Sequence, residues 1–185
     1  AVRMVDAASL PVPLELPAGT REALTGGATL IVHGARPEHA EALSALAGRP
    51  VQITVQPLGM WEGRMYRNGF TWLTPGLSHI DLYWKNYDGW EGAGAQAEEP
   101  KHKIEDPIWW SASADGAVEH IYPGGLLEIP VGQGRLILDQ VRWETTNDKL
   151  LRLATRVLSS IMLGLDVGVE PYVAPRPLPR GIAWK

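Results

Sequence analysis

The sequence predicts a three-layer α/β fold with a mainly parallel sheet, on three observations. Residues 28–33 (ATLIVH) form an apolar run without alternation, the pattern of a strand buried on both faces. Strand, helix and strand signals follow one another within residues 28–55, the length of a βαβ crossover, which implies parallel pairing with a right-handed connection. Residues 124–164 then read as strand, tight turn, strand and capped helix in succession.

The elements follow in order. Residues 2–5 are the one strand candidate ahead of the first helix, which residues 16–27 (LPAGTREALTGG) predict as a short helix closed by a glycine pair. After the 28–33 strand, Pro37 suits a first helical turn, and Glu38, Ala40, Leu43, Leu46 and Ala47 lead to a stop at Gly48. Residues 51–55 alternate as a strand.

The texture changes over about 59–116, where Trp, Tyr, Gly and polar residues replace any helical period, so this stretch is read as an insertion. Short strands are expected at 80–84 and 108–111, an exposed excursion between them with a mobile part at 92–100, and a further strand at 118–122.

In the last unit, Leu126, Leu127 and Ile129 form a strand, Gly132 and Gly134 flank Gln133 in the turn, and residues 135–139 resume the strand. Thr145, Thr146 or Asn147 caps a helix whose apolar positions Leu150, Leu151, Leu153, Ala154, Val157, Leu158, Ile161 and Met162 recur at helical steps until Gly164. Residues 1–168 are therefore read as a single domain. Residues 169–185, with four prolines and no period, are read as an arm or linker.

Composition narrows the function classes. Hydrophobic residues at 45% with 21% charged describe an ordinary globular core. A net charge of -4 with scattered Lys and Arg argues against a nucleic-acid surface. No apolar run approaches the length of a membrane span, so neither nucleic acid nor membrane is expected as a partner. The absence of Cys removes disulfides, thiolate metal sites and a cysteine nucleophile together. Compartment is left open, because a cysteine-free chain suits cytoplasm, periplasm and exterior alike.

The 23–33 segment (ALTGGATLIVH), followed later by the 132–138 segment (GQGRLIL) and a closing helix, resembles class I glutamine amidotransferase-like domains. More narrowly it is similar to the noncatalytic version within large bacterial glycoside hydrolases, including the trimerisation domain of some β-galactosidases. The resemblance covers residues 16–56 and 118–164 and implies a flavodoxin-like three-layer scaffold. Two departures matter: the elbow Cys of true amidotransferases is missing, and the opening βαβ unit is missing or shortened. With the proline-rich end, the latter suggests a segment of a longer polypeptide.

Candidate chemistry lies mainly in the insertion. His79, Asp81 and Tyr83 fall on one face of the expected strand, but a metal site would also need His102, Glu98, Glu99 or His120, and no close ligand spacing supports one. No metal and no cofactor are therefore expected. Among the carboxylates, Asp81, Glu91 and Asp106 are weak candidates for a glycosidase pair, which requires two carboxyl groups flanking the scissile bond. Ser78, Ser111, Ser113 and Ser159 all lack a nucleophile-elbow motif, and Gly132-Gln133-Gly134 joins two strands where a dinucleotide loop would enter a helix.

Aromatic residues give the stronger hint. Eight Trp stand beside a single Phe, and Tyr83, Trp84, Trp90, Trp109 and Trp110, flanked by Asp, Asn and Glu, have the surfaces on which pyranose rings stack. Trp143 and Glu144 follow the last strand, at the carboxyl end where open α/β sheets place their crevices, and Glu144 is read as substrate-binding with them. The expected function is a noncatalytic accessory domain of a carbohydrate-active enzyme that shapes a substrate cleft or a contact between domains or subunits. The expected partners are carbohydrate and either other domains of a longer polypeptide or further copies of the chain. The alternatives are an independently active glycoside hydrolase using the insertion carboxylates and a sugar-binding module with Trp and Tyr platforms.

Overall fold

The computed structural model describes residues 1–7, 10, 12–55, 62–64, 66–67, 71–77, 82–85, 107–108, 110–143 and 148–167. Strand β1 (Val2–Asp6) is followed by helix α1 (Thr20–Thr25) and strand β2 (Thr29–His33). A 3-10 turn (Pro37–His39) then leads into α2 (Ala40–Ala47) and β3 (Val51–Val55). Three short strands come next: β4 (Glu62–Arg64), β5 (Tyr66–Arg67) and β6 (Tyr83–Lys85). Strands β7 (Trp110–Ala114), β8 (Val118–Tyr122), β9 (Leu126–Val131) and β10 (Gly134–Asp139) precede α3 (Asp148–Gly164).

Six strands form one mixed sheet in the order β1-β2-β10-β9-β8-β5. β2 lies parallel to β1 on one side and to β10 on the other, and the remaining pairs are antiparallel. The α/β class holds, with parallel and antiparallel pairing together in place of the mainly parallel sheet the sequence predicts. The difference traces to β3. It does not return beside β2 to complete the expected crossover but pairs antiparallel with β7 in a separate two-stranded ribbon. Both seats beside β2 are filled by β1 and β10. Moreover, β3 buries Val51 and Ile53 while exposing Gln52 and Thr54, the alternation of a one-faced strand, whereas every residue of β2 is buried.

Side-chain alternation sends the sheet's apolar residues to opposite faces. On one face, Leu30, Val32, Leu127, Ile129, Leu136 and Leu138 pack with Leu24 of α1, Leu43 and Leu46 of α2, Val51 and Ile53 of β3, and Ala112 of β7. On the other, Ile31, Ile121, Leu126 and Ile137 pack with Leu153, Ala154, Val157 and Ile161, the buried stripe of α3. Residues 71–77 close against the same helix: Ser160 Oγ donates to the Pro75 carbonyl at 2.6 Å, and Leu73 and Leu77 are buried.

The two motifs that carry the family resemblance touch each other. The β9-β10 turn sits on the end of α1, with Gln133 N–H donating to the Thr25 carbonyl at 3.0 Å and Arg135 N–H to the Ala28 carbonyl at 3.1 Å. A Cβ on Gly134 would collide with the carbonyl oxygens of Leu24 and Ala28, so the close approach requires glycine there. Among the described residues, no helix is long and apolar enough to cross a membrane.

Candidate functional site

The apolar cores of β2 and β10 each end in a titratable residue, His33 and Asp139, and parallel register places these two directly opposite one another. Asp6, at the end of β1, is the register partner of His33 on its other side. This is the carboxyl edge of the parallel strands, the position at which α/β sheets hold ligands and reactive groups. His33 Nδ1–H donates to Asp139 Oδ2 at 3.3 Å, and Asp139 Oδ1 accepts the Val141 N–H at 3.1 Å. The Gly34 N–H donates to the Asp139 carbonyl at 2.8 Å, and Gln140 Nε2 donates to the Ala35 carbonyl at 2.9 Å. The Trp143 indole lies flat on the His33 ring, with centroids 3.6 Å apart and planes inclined by 14°.

A carboxylate bonded to one imidazole nitrogen fixes the tautomer and turns the other nitrogen into a base, the arrangement of many acid–base dyads. Here that second nitrogen meets no partner among the described residues. The His33 and Asp139 side chains are 1% and 0% exposed, and His33 Nε2 is buried without a partner among the described residues. No group of three His, Asp or Glu among the described residues is placed to hold a metal ion. The dyad has the geometry of a catalytic pair and the surroundings of a core contact.

A second polar cluster lies on the same face of the sheet, centred on Glu128, the register partner of Ile137 two residues back from Asp139, with Arg135 two residues further back. Glu128 of β9 accepts at Oε2 from His120 Nε2–H at 2.8 Å and from Trp72 Nε1–H at 3.2 Å, while its Oε1 faces the Arg135 guanidinium at 3.5 Å. Burial alone would push the Glu128 carboxyl up. The His120 hydrogen bond and charge, the Arg135 charge and the Trp72 hydrogen bond outweigh it and hold the group below its ordinary value. The Arg135 guanidinium also stands 4.5 Å over the Trp72 ring.

His39, fully buried in the 3-10 turn, accepts the Arg36 N–H at Nδ1. Burial first, and then the neighbouring Arg36 charge, push its pKa down, against a smaller opposite pull from Glu38.

The sequence-predicted site residues are distributed differently. Trp110 is half-buried on β7 and packs against the core on the α1 and α2 side of the sheet. Tyr83 and Trp84 have backbone positions in β6, opposite Arg64 and Gly63 of β4. Asp81, Glu91, Asp106, Trp90, Trp109 and Glu144 lie outside the described residues, as do His79, Glu98, Glu99 and His102. Of the serines weighed as nucleophiles, Ser111 donates to the Pro123 carbonyl and Ser159 to the Thr155 carbonyl, so neither serves a histidine. His120 is committed to Glu128.

Sequence reasoning passed over both histidine–carboxylate pairs. A signal for the first was present: two apolar strands (TLIVH and RLILD) each end on a titratable residue, which parallel pairing brings together. Comparison of the chain with family models, curated proteins and solved structures found no match.

Proposed function

We propose that the chain is a noncatalytic, amidotransferase-like accessory domain of a carbohydrate-active enzyme, built on a flavodoxin-like three-layer scaffold, that contributes to a substrate cleft or to contacts between domains or subunits. The observation that carries the noncatalytic reading is the burial of the His33–Asp139 pair at the carboxyl edge. Where this kind of sheet holds reactive groups, the chain has a His33–Asp139 pair buried beneath Trp143, with no cysteine anywhere in the sequence. A substrate cannot reach an imidazole nitrogen that solvent does not reach. The scaffold reading draws support from helices packed on both faces of the sheet and from the contact between the α1 end and the Gly132-Gln133-Gly134 turn.

The test is turnover by the purified chain. Incubated with aryl glycosides and with glutamine, it is expected to release neither aryl alcohol nor ammonia above a heat-unfolded control. Glycoside hydrolysis that disappears when Asp81, Glu91 or Asp106 is neutralised would replace this reading with that of an independent hydrolase.

A further inference from the structure

The six-stranded sheet ends differently at its two edges. One edge is β5, two residues long, next to a β8–β9 ladder whose register shifts between Glu119 and Ile121. A short edge strand beside an irregular ladder discourages further pairing. The other edge is β1, which keeps register with β2 over all five of its residues and contains no proline, glycine or bulge. Among the described residues, no strand pairs with its outer side. The Thr29 N–H donates to the Ala1 carbonyl at 2.9 Å, and this sets the alternation of the parallel ladder. Ala1, Arg3 and Val5 turn backbone groups toward β2, whereas Val2, Met4 and Asp6 turn theirs away from it.

Side chains sharpen the contrast. Val2 and Met4 are the register partners of Thr29 and Ile31, so they stand on the α3 face of the sheet. There they are 37% and 38% exposed and stay outside the core that α3 covers. Val5, on the opposite face, packs against the α1 and α2 core and holds the strand in place. An ordered, apolar, unblunted edge that the fold itself does not use is a template for another strand.

The sequence of β1 selects that strand. A second copy, paired antiparallel about a twofold axis at Met4, overlaps all five residues: Met4 meets Met4, Arg3 lies across from Val5, and Val2 lies across from Asp6. Because Met4 turns its backbone outward, the two Met4 residues can exchange both N–H and C=O groups, and the Val2 and Met4 side chains of both copies share one face. Moving the axis to Arg3 would set two guanidinium groups against each other, and moving it to Val5 would drop Val2 from the pairing. We propose that β1 is a self-association edge, through which two copies of the chain join their sheets into one continuous sheet. The proposal rests on the subunit-contact part of the reading above, names the surface that makes the contact, and is independent of carbohydrate.

Sedimentation equilibrium of the purified chain tests it. The mass is expected to move from one chain, 20.2 kDa, toward two chains as concentration rises to about 100 μM, the range of a small interface. Met4→Pro removes the outward N–H while leaving the β1–β2 hydrogen bonds in place, and Met4→Lys sets two like charges at the axis. Each is expected to weaken association about tenfold or more, with the circular dichroism of the parent chain retained. The sequence has no cysteine, so Met4→Cys supplies a single thiol. Oxidation with copper phenanthroline is expected to cross-link it at least about tenfold faster than Val118→Cys, whose position on β8 is 47% exposed but away from the axis. A single-chain mass throughout the concentration range would overturn the proposal and leave the noncatalytic reading, which the turnover assay tests, untouched. A dimer that survives both Met4→Pro and Met4→Lys, or that cross-links no faster through Met4→Cys than through Val118→Cys, would place the contact elsewhere and overturn it as well. A mass of three chains would overturn the twofold pairing.

Discussion

Glu128 couples the surface indole to the sheet, and its protonation state sets an acid limit on that coupling. Its carboxyl lies below the ordinary value near 4.5 in the folded chain, so the unfolded chain takes up a proton first as pH falls. The Glu128 contribution is complete above the unfolded value and disappears as pH drops through the lowered folded value. Glu128→Gln is therefore expected to flatten the acid limb of urea-unfolding stability below about pH 4.5. An unchanged acid limb would show that His120 and Trp72 do not depend on the charge. His39 acts in a separate window: its folded value lies below 6.5, so its contribution is present above that pH and is lost as pH falls beneath it, whether or not Glu128 is replaced. At this scale the sequence was least legible. Residue types name His33, His120, Glu128 and Asp139 as titratable, but whether each meets a partner depends on strand order, on which seat β10 takes beside β2, and on the irregular β8–β9 register around Glu119 and Ile121 that precedes Glu128.

Element by element, local pattern and structure agree wherever a segment's pattern is complete within itself. β9, β10 and β8 stand where alternation and turn chemistry put them, and α2 stops at Gly48, whose φ of 69° is the left-handed conformation glycine favours. The expected short helix over 16–27 contracts to α1, since residues 16–17 are irregular and 18–19 form a turn in which Gly19 takes the left-handed φ of 80° ahead of Thr20. β7 begins two residues later than the 108–111 strand expected from sequence and pairs with β3 rather than serving an isolated insertion. β4 and β5 carry no alternation long enough to read. The contact between the β9-β10 turn and α1 gives the clearest test at this scale. Gly134→Ala is expected to cost about 3 kcal/mol in chemical denaturation, because the new Cβ meets backbone that has no rotamer to change. Gly19→Ala, in open space at φ 80°, is expected to cost about 1 kcal/mol for its backbone conformation alone. Equal costs would mean that the turn does not bear on α1 in solution.

For the whole molecule, the mixed sheet places both polar clusters on the face that α3 covers, one at the carboxyl end of β10 and the other centred on Glu128 beside Ile137. One cluster is closed and the other supports an exposed ring. The class, α/β with an antiparallel hairpin beside parallel strands, was legible because periodicity and turns are local. The departure of β3 was not, because a strand–helix–strand pattern specifies a crossover without saying whether the seat in the sheet is already filled. The burial of the His33–Asp139 pair at the carboxyl edge is the point on which the noncatalytic account stands, and it is measured most directly by carbethoxylation of histidines in the folded chain, read site by site by mass spectrometry. Of the five histidines, His33, buried with Asp139 beneath Trp143, is expected to react only after urea unfolds the protein. Modification of His33 in the native chain at the rate of free imidazole would mean that the dyad is open to solvent and would contradict the account.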